Sequence, residues 1–192
     1  MKWNKRFEYP RSMRSMIGGK RHYDIDAGNK KLPSVTTILG QTQSKEKQES
    51  LSRWRDRVGI NEATRITDTA AARGTAMHNI LEAYVNGTKR IDLTPLGATD
   101  LVGVYDGIES IIDFKQSNKP KRREWIEDYF MQLGAYAMAH NFVYGTNITQ
   151  GVNLICTKDN LFQEFIVQGR EFVDYQHKWL ARVDQYYKMR QE

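Results

Sequence analysis

The clearest hydrophobic pattern lies around residues 106–107, Asp-Gly, which two apolar runs flank at 101–105 and 108–114. Asp-Gly suits the two positive-φ positions of a type I′ turn, so the pattern predicts a β-hairpin with a two-residue loop. In the register that this loop imposes, Asp100 faces Asp113. Residues opposed in this way have Cβ atoms about 5 Å apart, and two carboxylates at that separation repel each other.

A divalent cation would relieve this repulsion, because Mg²⁺ takes hard oxygen ligands that often include one or two carboxylates. Ile111 and Ile112 point to opposite faces, which predicts that both faces of the strand beside Asp113 are covered. A half-buried carboxylate pair without a partner is costly. Lys115 shares the face of Asp113 and would orient an attacking water or neutralise charge that develops on a phosphate. The alternative is a solvated hairpin with charges at its open end.

The rest of the pattern alternates between helical and extended stretches, with no repeat and no linker. We predict a short helix capped by Ser34, a cap at Thr75, and core packing for Trp125 and Leu133. The predicted strands lie at 21–26, 148–157 and 161–168, a loop at 41–50, and longer helices at 46–58, 60–72, 76–86, 124–141 and 170–190.

These elements predict one α/β domain over residues 1–192, in which helices flank a central mixed β-sheet. Within it we expect an N-terminal strand and helices at 21–74, a catalytic core at 75–168 and a C-terminal helix at 169–192.

The amino-acid composition favours some classes of function and excludes others. Lys and Arg number 29 against 23 Asp and Glu, and the net charge of +6 suits a polyanion such as DNA. No apolar run approaches the roughly 20 residues that a membrane span needs, so we expect no membrane contact. One cysteine, Cys156, excludes a disulfide framework and a four-cysteine iron–sulfur cluster. We expect a cytoplasmic protein, and the basic N-terminus keeps a cleaved mitochondrial presequence as an alternative.

Three motifs follow one another along the chain. They are Arg73, Thr75, His78 and Glu82 around one predicted helix, Asp100 with Asp113-Phe114-Lys115 in the hairpin, and Gln132 with Tyr136 on a later helix. A single histidine on a helix is by itself more often a packed or surface residue. Together, however, the motifs resemble the PD-(D/E)XK nucleases over roughly residues 32–157. The likeness is greatest for the RecB-like branch, which includes phage and mitochondrial exonucleases.

The resemblance implies a metal site and a restriction-endonuclease-like core. Asp100, Asp113 and the Phe114 carbonyl would hold Mg²⁺ or Mn²⁺, with His78 beside the cation. Lys115 and Glu82 would take part in catalysis. Residues 88–99 depart from the family, because that stretch is short where RecB-like nucleases place a further strand. Either residues 91–93 form a vestigial strand or that strand is missing.

The resemblance also implies DNA contacts. Gln132 and Tyr136 would lie near the DNA, as would Arg73 and Thr75. Ser34 and Thr36 belong to a Pro-Ser-Val-Thr segment that is similar to one in the exonucleases, and their hydroxyls would meet a phosphate. The alternative for Ser34 is a helix cap and nothing more.

A basic tract follows the predicted metal strand. Lys119, Lys121, Arg122 and Arg123 would guide a phosphate backbone toward the site. An ordinary solvated turn is the alternative.

We therefore predict a metal-dependent DNA exonuclease that acts on single strands or duplex ends and leaves 5′-phosphates. Its expected role is phage DNA replication, recombination or degradation in the host cytoplasm. A structure-specific endonuclease and a catalytically weak DNA-binding protein stay open, since one fold hosts several functions. The pattern does not decide the oligomeric state.

Overall fold

The computed structural model describes residues 7, 12–25, 30–85 and 100–191, without the side chains of 82, 84, 85, 100 and 101. These residues form seven strands: β1 Met13–Ile17, β2 Lys20–Ile25, β3 Lys30–Pro33, β4 Asp100–Tyr105, β5 Ile108–Ser117, β6 Gln150–Thr157 and β7 Phe162–Gln168. The α-helices that they form are α1 Val35–Gln41, α2 Lys45–Val58, α3 Ile60–Val85, α4 Glu127–Tyr144 and α5 Gly169–Lys188, and a 3₁₀ helix spans Arg123–Trp125. The predicted short segment at 88–99 lies outside the described residues.

The predicted hairpin is confirmed. Asp106 and Gly107 have φ values of 48° and 81°, so both occupy the positive-φ region that a type I′ turn requires. Tyr105 pairs with Ile108, and Asp100 pairs with Asp113, as the two-residue loop predicts. The local turn chemistry therefore determined the register of the whole hairpin.

The hairpin forms half of a mixed four-stranded sheet, which confirms the predicted fold class. Its strand order is β4-β5-β6-β7, with β5 and β6 parallel and the two outer pairs antiparallel. A parallel pair needs a crossover connection, and here α4 supplies it. α4 packs on the face that carries Ile111 and Ile155, where its Leu133 joins the core.

Gly151 explains how closely α4 approaches the sheet. A Cβ at this position would lie 2.9 Å from Leu133 Cβ and 2.9 Å from Phe172 Cε2. Both neighbours belong to the buried core, so neither has room to move. A glycine here lets α4 and α5 settle directly on β6.

A second, three-stranded antiparallel sheet of order β1-β2-β3 precedes the helices. Only β2 was predicted. β1 escaped prediction because its side chains are largely exposed and show no clean alternation, and β3 is only four residues long. The predicted cap is confirmed, since Ser34 Oγ accepts a hydrogen bond from Thr37 N at 3.1 Å.

Three predictions about the helices were wrong. The loop at 41–50 ends early, because Ser44 caps α2 from Lys45 onward. The helices predicted at 60–72 and 76–86 form one helix, α3, which runs through Gly74. Thr75 is therefore not a cap, and its hydroxyl donates to Ala71 O at 3.1 Å. An interior glycine costs about 1 kcal/mol relative to alanine, which the many hydrogen bonds of so long a helix outweigh.

Trp125 is the third error, because it lies in the 3₁₀ helix before α4 and is 57% exposed. The Arg122 guanidinium lies 5.1 Å from its ring centroid. Leu133 is fully buried, as predicted, and so are Phe172 and Tyr186 on α5. Within the described ranges, no helix combines the length and the apolar character that crossing a membrane requires.

Candidate active site

β5 carries a buried ion pair. Asp113 is 1% exposed, and its Oδ2 lies 2.9 Å from Lys115 Nζ. The two residues are two positions apart on one strand, so they project to the same face. Among the described residues Oδ2 accepts no hydrogen bond of good geometry, which makes the contact an ion pair and leaves the carboxylate under-coordinated.

The hairpin brings a second acid to this point. Asp100 is the register partner of Asp113 across the β4–β5 ladder. Register partners in an antiparallel pair share a face of the sheet. The side chain of Asp100 lies outside the described part of the structure, as does that of Glu82, so their predicted roles stay predictions. The Phe114 backbone lies between Asp113 and Lys115, and its metal-binding carbonyl also stays a prediction.

α4 covers Lys115 with polar and aromatic groups. Lys115 Nζ donates to Gln132 Oε1 at 3.1 Å, and Gln132 Nε2 donates to Tyr136 OH at 3.4 Å. The Tyr129 ring centroid lies 5.2 Å from the same ammonium. Burial raises the pKa of the Tyr129 phenol, and the Lys115 charge partly offsets this effect. The structure thus joins the predicted Gln132 and Tyr136 to Lys115.

His78 approaches the pair from α3, which packs against β5. Its half-buried imidazole has a lowered pKa, chiefly because burial disfavours the charged form. Asp113 raises this pKa and Lys115 lowers it, which places His78 in the field of both groups. His78 Nδ1 is enclosed and meets no hydrogen-bond partner in the described ranges. A neutral imidazole with an uncommitted nitrogen is the form that binds metals.

These groups fit a divalent cation. Within the described residues, Asp113 offers a carboxylate without a full set of partners and His78 offers a nitrogen without a hydrogen bond, and Asp100 is the register partner of Asp113. The described side chains do not by themselves gather three carboxylate, imidazole or thiol ligands at one point. A complete donor set would therefore need Asp100, the backbone register partner of Asp113.

No protein-family model matches the chain. The chain is similar to mitochondrial genome maintenance exonuclease 1. The human relative is 25% identical over 201 residues, which cover 81% of this chain and 58% of that protein. The relatives from Xenopus tropicalis (25% identical; 85% of this chain, 60% of that protein) and Mus musculus (26% identical; 88% of this chain, 64% of that protein) are alike in extent.

The predicted resemblance to an exonuclease is thereby confirmed. The chain spans about three fifths of the length of the curated relatives that it matches. The similarity extends over most of this chain, so it includes much more than the hairpin.

The predicted DNA contacts fall into separate places. Arg73 donates a hydrogen bond to Asn118 Oδ1 and so ties α3 to the turn after β5. Thr75 is exposed on the same helix. Ser34 is buried, and its hydroxyl bonds Thr36 and Thr37, which favours the role of a cap.

Thr36 belongs to an open groove between the N-terminal sheet and α1. The groove is lined by Arg14, Lys20, Arg21, Thr36, Thr37 and other residues of β1, β2 and α1. Three cations therefore converge on one groove with two hydroxyls. Sequence patterns missed it because β1 and the pairing of β1 with β2 were not predicted.

The basic tract divides into bound and unbound charges. The Arg123 guanidinium donates to both carboxylate oxygens of Glu171, at 2.7 and 2.8 Å, and to Ile166 O at 3.0 Å. Arg122 lies on Trp125, and Lys119 is exposed. Lys121 is anchored by its backbone N–H to Gln163 Oε1 at 2.7 Å, which leaves its ammonium out of that contact.

Sequence patterns missed three residues of the site: Asn118, Tyr129 and Asn153. Asn118 holds Arg73, and Tyr129 covers Lys115. Asn153 is the register partner of Asp113 on β6 and has no exposed surface. Spacing from Gln132 would have found Tyr129, whereas Asn153 is visible only once β6 is known to lie parallel to β5.

Proposed function

We propose that the chain is a metal-dependent DNA exonuclease that hydrolyses phosphodiester bonds. The observation that carries the proposal is the buried Asp113–Lys115 pair, in which Asp113 is the register partner of Asp100 and which interacts electrostatically with the half-buried His78. The exonuclease name of the relatives supports the same reaction class.

Asp100, Asp113 and the Phe114 carbonyl would hold Mg²⁺ or Mn²⁺, with His78 adjacent. When bound, such a cation neutralises charge on a phosphate and makes water a better nucleophile. The protein residues would supply oxygen and nitrogen ligands in a site that excludes bulk solvent. Asp113 suits this role because it is buried.

Lys115 would act on the reacting phosphate. Its ammonium is held from two sides, by Asp113 and by Gln132, so it is oriented before any substrate arrives. A cation placed in this way stabilises negative charge that develops in the transition state without having to reorganise. Gln132 and Tyr136 of α4 would add an amide and a phenol to the site next to Lys115.

Two surfaces would lead the DNA to the site. The groove with Arg14, Lys20 and Arg21 offers three cations, and no acidic side chain is among the residues that line it. Lys119, Lys121 and Arg122 follow β5 in the sequence and add three more cations. Positive charge of this kind binds a nucleic acid backbone of any sequence, since each neutralised phosphate releases a counterion.

We also propose a role in phage DNA metabolism in the host cytoplasm. This proposal is supported by the resemblance of the three sequence motifs to those of phage exonucleases.

Digestion of end-labelled DNA tests the proposal. Single-stranded and double-stranded substrates should shorten from their ends in Mg²⁺ or Mn²⁺ and stay intact in EDTA. A covalently closed circle should survive in either metal. Nicking of the circle would favour an endonuclease, and binding without cleavage in both metals would favour a catalytically weak DNA-binding protein.

A further inference from the structure

Two buried amides lie on β6, and their surroundings differ. Gln150 is 2% exposed, and its Nε2 donates to Ser110 Oγ at 2.9 Å and to Tyr105 O at 3.2 Å. Asn153 is 0% exposed, yet neither its Nδ2 nor its Oδ1 has a hydrogen-bond partner in the part of the chain that the structure describes. A buried amide without partners is costly, so its presence needs an explanation.

The position of Asn153 supplies one. Asn153 pairs in register with Asp113 across the parallel β5–β6 ladder, where neighbouring strands are about 4.8 Å apart. Ile111 and Ile155 lie two residues from this pair and pack with Leu133 beneath α4. The unpaired amide therefore shares a covered face of the sheet with the under-coordinated carboxylate of Asp113.

A purely structural role explains Asn153 poorly. A fully enclosed position in an apolar layer accepts leucine or valine without penalty, whereas an unpaired amide loses its hydrogen bonds to water there. Gln150 shows what a structural amide on this strand looks like, because its nitrogen links β6 to Ser110 and to the hairpin turn. Asn153 makes no such link.

We infer that Asn153 is a positioning residue for Asp113. Its Nδ2 donates to the Asp113 carboxylate when a divalent cation is bound, and this bond fixes the orientation of the carboxylate toward the cation. Ligating carboxylates are generally held by such outer hydrogen bonds, and their loss weakens metal affinity about 10- to 100-fold. The inference rests on the proposed function, because it assigns a residue to the metal site that the proposal contains.

Thermal unfolding across a Mn²⁺ titration tests the inference, with Asn153→Leu as the main variant. In EDTA this variant should melt at or above the wild-type temperature, because an unpaired amide has been replaced by an apolar group of similar volume. The Mn²⁺ concentration at the midpoint of the stabilisation should rise about tenfold or more.

Gln150→Leu is the matched control, since it removes the other buried amide of the same strand. It should melt below wild type in EDTA, because Ser110 and Tyr105 lose their donor. Its Mn²⁺ midpoint should equal that of wild type. A purely structural Asn153 would instead make both variants behave like this control.

A second pair of variants covers the possibility that Asn153→Leu does not fold. Asn153→Ala and Asn153→Ser differ by one hydroxyl, and only serine can donate to Asp113. The serine variant should respond to less Mn²⁺ than the alanine variant. Equal midpoints in this pair, or a wild-type midpoint in Asn153→Leu, overturn the inference while the metal site itself stands. A wild-type protein indifferent to Mn²⁺ overturns the metal site and the inference together.

Discussion

Lys115 and the basic tract at 119–123 lie a few residues apart and carry the same kind of charge in different surroundings. The Lys115 side chain is 20% exposed and is held by Asp113 and Gln132 inside the fold. The Arg123 side chain is 41% exposed and pairs with Glu171 near the surface. Exposed charges are well solvated and cost little, whereas a charge pair under a helix is expensive to keep. The buried pair therefore supports the proposed metal site more strongly than the tract does.

The residues of the basic tract also differ from one another in their contacts, although they are adjacent in the sequence and carry the same charge. Arg123 is committed to Glu171 and to Ile166 O, and its guanidinium lies 4.8 Å from the Phe130 ring centroid. Arg122 stacks on Trp125 and keeps its charge outward. The element that packs beside each residue decides whether its charge holds the fold together or faces solvent.

Replacing Asp113 by Asn should have the largest effect. The change keeps the shape of the side chain and removes the charge that holds a hard cation. Electrostatic help from a metal is worth several kcal/mol, so cleavage in Mg²⁺ should fall about a thousandfold. The control is Asp159→Asn, which removes an exposed acid paired with Lys158. Equal cleavage rates in the two variants would place the site elsewhere.

Lys115→Ala should follow, with a loss of about a hundredfold or more in kcat, because its ammonium acts on transition-state charge. The double variant Lys121→Gln/Arg122→Gln removes two cations of the basic tract, the half-buried Lys121 and the exposed Arg122, and should change kcat at saturating DNA far less. Turnover of a labelled oligonucleotide measures both. A larger kcat effect from the Lys121/Arg122 double variant than from Lys115→Ala would reverse the contrast between the two regions.

The lowered pKa of His78 predicts a pH dependence. The folded protein favours the neutral imidazole, so the stability from His78 is full above the ordinary pKa of 6.5 and is lost as the pH falls through the lowered value. A proton on His78 would also compete with a cation. The rise in melting temperature caused by Mn²⁺ should therefore shrink from about pH 7.5 to about pH 5.5.

The matched variants for this prediction are His78→Gln and His177→Gln, the latter at an exposed position on α5. His78→Gln should flatten the pH dependence of the melting temperature in EDTA, and His177→Gln should leave it as in wild type. If the melting temperature depends on pH in the same way in the wild type and in both variants, His78 is not the group that causes this dependence.

The salt dependence of DNA binding should show the smallest effects. Lys121→Gln/Arg122→Gln should lower the slope of log K against log salt by about 0.7 per lost phosphate contact on single strands. Arg14→Gln/Lys20→Gln should act similarly if the groove carries the backbone. Arg123→Gln should barely change the slope and should instead lower the free energy of unfolding by about 0.5–1 kcal/mol, because its ion pair is partly exposed. A slope that falls most in Arg123→Gln would contradict this division of the tract.

Local chemistry explains which parts of the fold were predictable. Asp106-Gly107 determines the turn, the turn determines the register, and the register brings Asp100 opposite Asp113. The interactions of α4 with Lys115 were only partly predictable. The four-residue spacing of Gln132 and Tyr136 places them on one side of the helix, but it does not determine which residues they contact.

Features that depend on distant parts of the chain were not predictable in this way. The capping residue expected at Thr75 is an interior residue of α3, because the helix continues through Gly74. Asn153 enters the site through the parallel pairing of β5 with β6, and the residues that pair are separated by the whole of α4. Long-range strand pairing carries no short-range signal in the sequence.

The most direct test of the central claim is a calorimetric titration of Mn²⁺ into the wild-type protein and into Asp113→Asn, in the absence of DNA. We predict saturable binding to the wild type and at least a tenfold weaker interaction in the variant, because Asp113 is the buried carboxylate of the site. Equal affinity of the two proteins for Mn²⁺ would contradict a metal site at Asp113.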